Sequence, residues 1–297
     1  MTEQDLVSIR DPRLDPLAGL DWRERLDRLR TRIAALGRVV VAYSGGVDSS
    51  VVLRVAHEQL GDGALAVIGR SDSYALRELE LALAQAADIG AAVEVVRTGE
   101  LANPDFASNP SDRCYHCKSE LYRQLAAVAE RFGAAAVLDG TIADDVHDHR
   151  PGRRAAAERR VLSPLAELGF RKADVRAVAG HLGLASSAKP ASPCLASRIP
   201  YGTAITPAIL AQVERAEQVL RDLGFTELRV RHHGDVARIE VPLADLPRLL
   251  EPARRQAAVD GLRAAGYRFV SVDLEGLRSG SLNRALESGH ESSPRQN

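Results

Sequence analysis

One short segment of the sequence has the residue types that bind phosphate groups. It follows the apolar run VVVAY (39–43), precedes a helix-like segment and reads Ser44-Gly45-Gly46-Val47-Asp48-Ser49-Ser50. Glycines let backbone N–H groups approach a phosphate closely, and a helix N-terminus adds the positive end of its dipole. The serine hydroxyls can donate further hydrogen bonds. A tight turn with a Ser or Asp N-cap is the simpler alternative, but the whole string after a buried strand favours phosphate binding.

Acidic residues around this loop suggest a magnesium site. Asp48 makes physical sense beside phosphates if Mg²⁺ lies between them. The segment LDGTIADDVHDHRPG (138–152) follows the fourth predicted strand, and its carboxylates could supply a second ligand: Asp139, Asp144, Asp145 and Asp148. We assign Mg²⁺ to Asp48 and, as the second ligand, Asp144. His147 and His149 lack further ligands at zinc spacing, so we interpret them as loop histidines.

The three cysteines form a second candidate site. Cys114 and Cys117 lie three residues apart in NPSDRCYHCKSELY, and Cys194 lies far downstream in SPCLASRIPYG. Three thiolates could hold a [4Fe–4S] cluster and leave one iron open, whereas a structural zinc would need a fourth ligand such as His116. Alternatively the thiols are unrelated, with two of them at a helix N-terminus where the dipole lowers their pKa. Next to a phosphate-binding loop, we favour a shared site.

An alternating pattern of strands and helices must position these residues. Strand-like apolar runs lie at 39–43, 65–69, 93–96 and 135–140. Helix-like segments lie between them, at about 49–60, 75–89 and 118–132. This alternation predicts an α/β fold with a doubly wound parallel sheet. Ligands of such sheets bind at the carboxyl ends of the strands.

The pattern changes near residues 200–206. A helix-like segment, PAILAQVERAEQVLRDLGF, precedes ELRVRHHGDVARIEV, whose period-two alternation around HHGD predicts a hairpin. A further helix at about 245–264 and the strand YRFVSVDL complete a smaller C-terminal α+β domain. The predicted organisation is an N-terminal tail at 1–19, an α/β domain at 20–203, the C-terminal domain at 204–285 and a tail at 286–297.

Composition excludes several classes of protein. Of the 297 residues, 45% are hydrophobic and 27% charged, as in ordinary globular proteins, and the net charge is −1. Nothing global therefore suggests binding to nucleic acid or to a membrane surface. The N-terminus is polar, no apolar run is long enough to span a bilayer, and three cysteines are too few for a secreted disulfide scaffold. We expect a cytoplasmic protein.

The motifs together resemble a known family. The loop closely resembles the S-G-G-x-D-S loop of the PP-loop ATP pyrophosphatases, which implies cleavage of ATP between its α- and β-phosphates. SPCLASRIPYG, LRVRHHGDVARIEV and LDGTIADD…RPG extend the resemblance to the LarE family over roughly residues 20 to 285. That resemblance implies an ATP-dependent sulfur transferase of nickel-pincer nucleotide (lactate racemase cofactor) biosynthesis. It would adenylate the carboxylates of pyridinium-3,5-biscarboxylic acid mononucleotide and convert them to thiocarboxylates.

The resemblance also implies roles for particular residues. It implies that ATP contacts Ser44, Gly45, Gly46, Asp48, Ser49, Ser50 and Gly140. Some members of the family sacrifice the sulfur of one cysteine at the position of Cys194, and others hold a [4Fe–4S] cluster on three cysteines. This sequence matches the three-cysteine pattern, which implies a cluster on Cys114, Cys117 and Cys194. Sulfide or a sulfur-delivery protein would be the partner, and we expect a homo-oligomer.

Three arginines are predicted to bind the phosphate of the substrate nucleotide. Arg229 and Arg231 are two residues apart on a strand, so their side chains leave the same face. Arg198 lies four residues after Cys194, and Glu217 on the preceding helix could orient the arginines or accept a proton. Arginines on a solvated sheet face are the alternative, and the resemblance favours the binding site.

Two other functions remain open. A PP-loop tRNA thiolase also combines Cys-x-x-Cys with a third cysteine, and it should have a basic face for phosphates. A local basic cluster exists at Arg150, Arg153, Arg154, Arg159 and Arg160, although the overall charge is balanced. A non-catalytic nucleotide-binding or iron–sulfur protein is the other possibility, but Asp48 and the acidic segment favour metal-assisted turnover.

Overall fold

The computed structural model describes residues 19–146, 151–190 and 192–278. Its first part contains the strands β1 (Val39–Ala42), β2 (Ala64–Arg70), β3 (Ala92–Arg97) and β4 (Ala136–Leu138). The helices of this part are α1 (Trp22–Ala34), α2 (Val47–Leu60), α3 (Leu76–Ile89), α4 (Pro104–Ala107), α5 (Arg113–Phe132), α6 (Gly152–Glu158), α7 (Pro164–Glu167) and α8 (Lys172–His181). The second part comprises α9 (Pro207–Asp222), β5 (Arg229–His233), β6 (Val236–Glu240), α10 (Leu246–Leu250), α11 (Pro252–Ala264) and β7 (Phe269–Val272).

The strands β1 to β4 form one parallel sheet in the order β3-β2-β1-β4. The chain moves from β1 to β2 on one side and later returns to add β4 on the other side. A parallel sheet has a crevice at the carboxyl ends of its strands where the order reverses in this way. The crevice therefore lies between the ends of β1 and β4.

Helices cover both faces of this sheet, as a parallel sheet requires. Alternate side chains of β1 point to opposite faces, so Val39 and Val41 pack into one hydrophobic cluster and Val40 into another. The first cluster includes Leu29 of α1, and the second includes Leu125 of α5. The central strand is thus completely buried, and the residues after it are held by a rigid support.

The second sheet has the order β5-β6-β7. The strands β5 and β6 form the predicted antiparallel hairpin, and β7 pairs parallel to β6 after the α10–α11 connection. Its core includes Phe225, Leu262 and Tyr267. The predicted fold class, an α/β parallel sheet followed by a smaller α+β unit, is confirmed.

A separate buried cluster joins the two parts of the chain. Phe106, Leu195, Ile199 and Val213 belong to it, so the α4 region, the segment after Cys194 and α9 pack together. The amide of Asn109 strengthens this junction, because its Nδ2 donates to the backbone oxygens of Pro200 and Thr203 at 2.7 and 3.0 Å. The Cys194 segment is therefore held between the two sheets.

Two predicted elements differ from the structure. The helix predicted at 118–132 begins at Arg113, so Cys114 and Cys117 lie in its first two turns. The helix predicted at 245–264 is broken into α10 and α11, because Glu251 precedes Pro252 and has the extended angles φ −53° and ψ 134°. A residue before proline is disfavoured in the helical conformation.

Some sequence predictions fall on residues that the structure does not describe. These are the tails at 1–18 and 286–297, together with His147, Asp148, His149 and Arg150. Among the described residues, no helix is both long enough and apolar enough to cross a membrane.

Candidate active site

The predicted phosphate-binding loop lies at the carboxyl end of β1, where α2 begins. Gly45 has a φ of +65°, and a Cβ added there would lie 2.6 Å from Cβ of Ala82. Both the conformation and the close approach require glycine. Gly46 is the N-cap of α2 and contributes no side-chain hydrogen bond to the helix N-terminus. Such an N-terminus fits a bound phosphate group.

The loop hydroxyls largely bind the loop itself. Ser49 Oγ donates to the Gly46 oxygen at 3.1 Å and lies 3.1 Å from Ser44 Oγ. Ser50 Oγ donates to the same oxygen at 2.8 Å, accepts from Gln85 Nε2 and is completely buried. The direct ATP contact predicted for Ser50 is therefore replaced by a supporting role, because its hydroxyl has no access to the crevice. Ser44 is exposed, so its side chain faces solvent.

A layer of polar side chains supports the loop from behind. Gln85 Nε2 also donates to Tyr43 Oη at 3.1 Å, and Tyr43 Oη donates to the Ala82 oxygen at 3.2 Å. Tyr74 Oη donates to the Ser44 oxygen at 2.9 Å. Burial raises the pKa of Tyr43, so this phenol remains a neutral donor at physiological pH. These contacts fix the loop before any ligand binds.

The end of β4 forms the other wall of the crevice. A Cβ added at Gly140 would lie 2.6 Å from the backbone nitrogen of Ser49, so only glycine permits this close approach. Asp139 is buried, and its carboxylate accepts hydrogen bonds from the hydroxyls of Thr141 and Ser163 at 2.8 and 2.7 Å. Asp139 thus stabilises the turn, while Gly140 leaves space at the phosphate loop that fits ATP.

The carboxylate of Asp48 is paired with a lysine that the sequence analysis missed. Lys172 Nζ donates to both carboxylate oxygens of Asp48, at 2.8 and 2.7 Å. The backbone N–H of Lys172 donates to Asp144 Oδ2 at 2.8 Å, so the structure brings the two predicted Mg²⁺ ligands to one lysine. Asp48 already binds a cation beside the phosphate loop, and oxygen ligands of this kind suit Mg²⁺.

A second lysine, also missed, connects the loop to the cysteine segment. Lys189 Nζ donates to the Gly45 oxygen at 3.2 Å and pairs with Glu78 Oε2 at 2.8 Å. Cys194 follows five residues later. No local spacing could reveal either lysine, because each lies more than 120 positions from the loop residue that it contacts.

The structure brings the three cysteines to one neighbourhood. Cys114 and Cys194 are exposed, and Cys117 is half-buried against the cluster that contains Leu195. The backbone N–H of Leu195 donates to the Ser73 oxygen at 2.8 Å, which fixes the segment carrying Cys194. Cys117 interacts electrostatically with both Cys114 and Cys194. A shared role for the three thiols is thus compatible with the geometry.

Burial dominates the electrostatics of Cys117. It raises the pKa of the Cys117 thiol, and the charge of Glu100 raises it further, so the lowering expected from the helix dipole does not prevail. In the ranges 19–146, 151–190 and 192–278, no group of three or more His, Cys, Asp or Glu side chains could hold a metal ion. A four-iron cluster offers a separate iron to each thiolate, and this donor set of three cysteines has the chemistry it needs.

Arg198 is buried and holds the Cys194 turn. Its guanidinium pairs with Glu217, with Nε–Oε1 at 2.7 Å and Nη2–Oε2 at 3.2 Å. Nη1 donates to the backbone oxygens of Pro193 and Cys194 at 2.6 and 3.2 Å. Since the side chain of Arg198 is only 4% exposed, its donors are committed to the protein and not to solvent. Glu217 orients Arg198, as the sequence suggested.

Arg231 and Arg229 have different environments. Arg231 forms a buried bidentate pair with Glu240, at 2.9 and 2.8 Å, and Nη1 donates to the Ser197 oxygen at 2.7 Å. Arg229 is half-buried, donates to the Arg278 oxygen at 2.9 Å and has no carboxylate at ion-pair distance among the described residues. Burial and the neighbouring arginines lower the pKa of Arg229. The uncompensated positive charge of this group therefore lies on Arg229, and an anion would relieve it.

The fold and the loop define the class of this protein. A parallel sheet with the SGGVDSS loop at its order reversal is the arrangement of a PP-loop nucleotide-binding protein. A glutamine-hydrolyzing GMP synthase of Methanoregula boonei agrees with this class: it is 28% identical over 202 residues, 63% of each chain. No protein-family model matches the chain.

Two other relatives are much more similar over nearly their whole length. An uncharacterized protein of Synechocystis is 46% identical over 262 residues, 88% of this chain and 98% of the relative. The pyridinium-3,5-bisthiocarboxylic acid mononucleotide synthase of Lactiplantibacillus plantarum is 42% identical over 263 residues, 86% of this chain and 94% of the relative. The chain belongs to the LarE family.

Proposed function

We propose that this protein is an ATP-dependent sulfur transferase that converts the carboxylates of pyridinium-3,5-biscarboxylic acid mononucleotide to thiocarboxylates. The observation that carries the proposal is the short connection between the phosphate loop and the cysteine site. Lys189 Nζ contacts the Gly45 oxygen, and Cys194 follows five residues later, within about 17 Å for an extended chain. The name of the Lactiplantibacillus plantarum relative supports the choice of substrate.

The first half-reaction would activate the acceptor carboxylate. One of its oxygens attacks the α-phosphorus of ATP, the bond to the β-phosphate breaks, and pyrophosphate leaves. The N-terminus of α2 would bind the departing phosphates through its N–H groups. Asp48 and Asp144 would hold Mg²⁺, which would neutralise charge on the phosphates. The product is an acyl adenylate with an electrophilic carbon.

The second half-reaction would transfer sulfur. A sulfur nucleophile attacks the acyl carbon, and AMP leaves with the oxygen that was adenylated. Cys114, Cys117 and Cys194 would hold a [4Fe–4S] cluster, which would supply an open iron for carrying sulfide. Sulfide or a sulfur-delivery protein would renew the sulfur. Should the protein carry no iron, the exposed Cys194 thiol would be the sulfur donor itself.

Arg229 is the residue that we assign to the phosphate of the substrate nucleotide. Its half-buried guanidinium lacks an acidic partner among the described residues, and a planar guanidinium pairs well with phosphate oxygens. Arg198 and Arg231 would act with it by holding the turn between Cys194 and Ser197. The acceptor would thus be anchored beside the sulfur-delivering residues.

Exposed apolar side chains support the proposal of a homo-oligomer, which we place in the cytoplasm. Phe269 lies on β7 at the edge of the second sheet and is 62% exposed, and Leu274 just beyond it is 84% exposed. Edge strands with apolar side chains are commonly covered by another chain.

The proposal is tested by incubating the anaerobic protein with ATP, Mg²⁺ and the acceptor nucleotide, and measuring the products of ATP. We expect AMP and pyrophosphate, formed only when the acceptor is present. Formation of ADP and orthophosphate would contradict the proposal, and turnover that depends on tRNA in place of the acceptor would favour a tRNA thiolase. The exposed arginines of α6 are the feature a thiolase would use, although Arg154 pairs with Glu158 and stacks on Tyr115.

A further inference from the structure

The ion pair between Lys172 and Asp48 occupies the acidic group of the phosphate loop. Lys172 Nζ contacts both oxygens of the Asp48 carboxylate, so this side of the carboxylate is not available to another cation. The lysine and aspartate side chains are 41% and 27% exposed. An ion pair with this exposure contributes only up to about 1 kcal/mol and can be exchanged for other partners.

The backbone of Lys172 is fixed, although its side chain is not. Lys172 is the first residue of α8, and its N–H donates to Asp144 Oδ2 at 2.8 Å. Val175 and Val178 of the same helix are completely buried in the core. Only the four-carbon stem and the ammonium group can therefore move, and they start beside the N-terminus of α2.

A nucleotide with its metal would remove the reason for this pair. Asp48 is the second residue of α2, so a cation held by its carboxylate would lie next to phosphates at the helix N-terminus. The ammonium of Lys172 would then compete with the metal for the carboxylate. The nearest alternative partners for a displaced ammonium are the phosphate oxygens themselves.

We propose that Lys172 is an exchanging counter-ion, which binds Asp48 while the loop is empty and binds the phosphates of the nucleotide once a divalent cation has taken Asp48. The inference rests on the proposed use of Mg²⁺ and ATP. It assigns two successive partners to one lysine, and the two partners predict opposite effects of removing it. Without Lys172, the empty loop should bind a divalent cation more tightly, and the loop should bind MgATP more weakly.

The test uses Lys172→Met in the full-length protein, with Lys172→Gln as a second variant in case the first does not fold. Arg171→Met is the matched control, because it removes a positive charge from the adjacent, exposed position. Mn²⁺ binding to the nucleotide-free protein is measured by electron paramagnetic resonance, and MgATP binding is measured by calorimetry. Circular dichroism establishes that each variant is folded.

We expect Mn²⁺ to bind Lys172→Met about tenfold more tightly than the wild type, and MgATP to bind about tenfold more weakly, since each effect removes one charged contact. Arg171→Met should change neither affinity. The inference is overturned if Lys172→Met matches that control, or if both of its affinities change in the same direction. A wild-type protein that does not bind MgATP would instead refute the proposed function, and this inference with it.

Discussion

Replacing Glu217 by Gln tests whether buried charge holds the Cys194 turn. Glu217 is completely buried and accepts from Arg198, from Arg221 at 2.9 Å and from the backbone N–H of Val230 at 3.2 Å. Glutamine keeps the size of the side chain but removes its charge. The guanidinium of Arg198 would then remain buried without a counter-ion. Removing one partner of a buried pair costs about 3–5 kcal/mol.

That cost is a large share of the free energy of unfolding, which is about 5–15 kcal/mol for a typical protein. At roughly 2–4 °C per kcal/mol, the melting temperature should fall by about 6–20 °C. Urea denaturation followed by circular dichroism measures the change in the free energy of unfolding. The matched control is Asp222→Asn, which removes an exposed carboxylate from the same helix and should change stability by less than about 0.5 kcal/mol.

A double variant separates stability from positioning. Glu217→Gln combined with Arg198→Met removes both buried charges, so part of the lost stability should return. The Cys194 turn would still lack the hydrogen bonds of Arg198 Nη1, so sulfur transfer should remain impaired. The reasoning is refuted if Glu217→Gln alone lowers the free energy of unfolding by less than about 1 kcal/mol, or if the double variant recovers full activity.

Three further variants or reagents test other parts of the site. Gly140→Ala should lose at least tenfold in ATP affinity by calorimetry, because its Cβ would lie 2.6 Å from the Ser49 nitrogen; wild-type affinity would contradict the close approach. Arg229→Ala should lose about tenfold or more in acceptor affinity while ATP affinity is unchanged, and Arg229→Lys should restore part of the loss; equal effects on both ligands would argue against a phosphate contact. Burial raises the pKa of Cys117, so its thiol stays protonated to higher pH than an ordinary cysteine. At pH 8, iodoacetamide should label Cys117 more slowly than it labels the exposed Cys194 in iron-free protein, as peptide mass spectrometry would measure; equal rates would contradict the burial.

The sequence predicted the supporting framework well because its signals are local. The apolar run at 39–43 and the following glycines are contiguous, and they became β1 and the loop before α2. The cysteines were placed at the start of a helix, but the start of α5 was predicted five residues too late because DRCYHC has no strong apolar period. Pro252 breaks the last predicted helix for a reason that a sequence can show, the restriction on the residue before proline.

The partners of the charged residues could not be predicted, because they are distant in sequence. Arg198 pairs with Glu217 across 19 positions, and Lys172 pairs with Asp48 across 124. The sequence therefore suggested that Arg198, Arg229 and Arg231 act alike. Burial distinguishes them: two of the guanidinium groups are bound to glutamates, and only Arg229 lacks an acidic partner among the described residues.

The most direct test of the proposed activity is the mass of the acceptor nucleotide after anaerobic incubation with the protein, ATP, Mg²⁺ and sulfide. We predict that carboxylate oxygen is replaced by sulfur, with one AMP released for each sulfur introduced. An acceptor of unchanged mass, while AMP accumulates, would contradict sulfur transfer and leave only an adenylating enzyme.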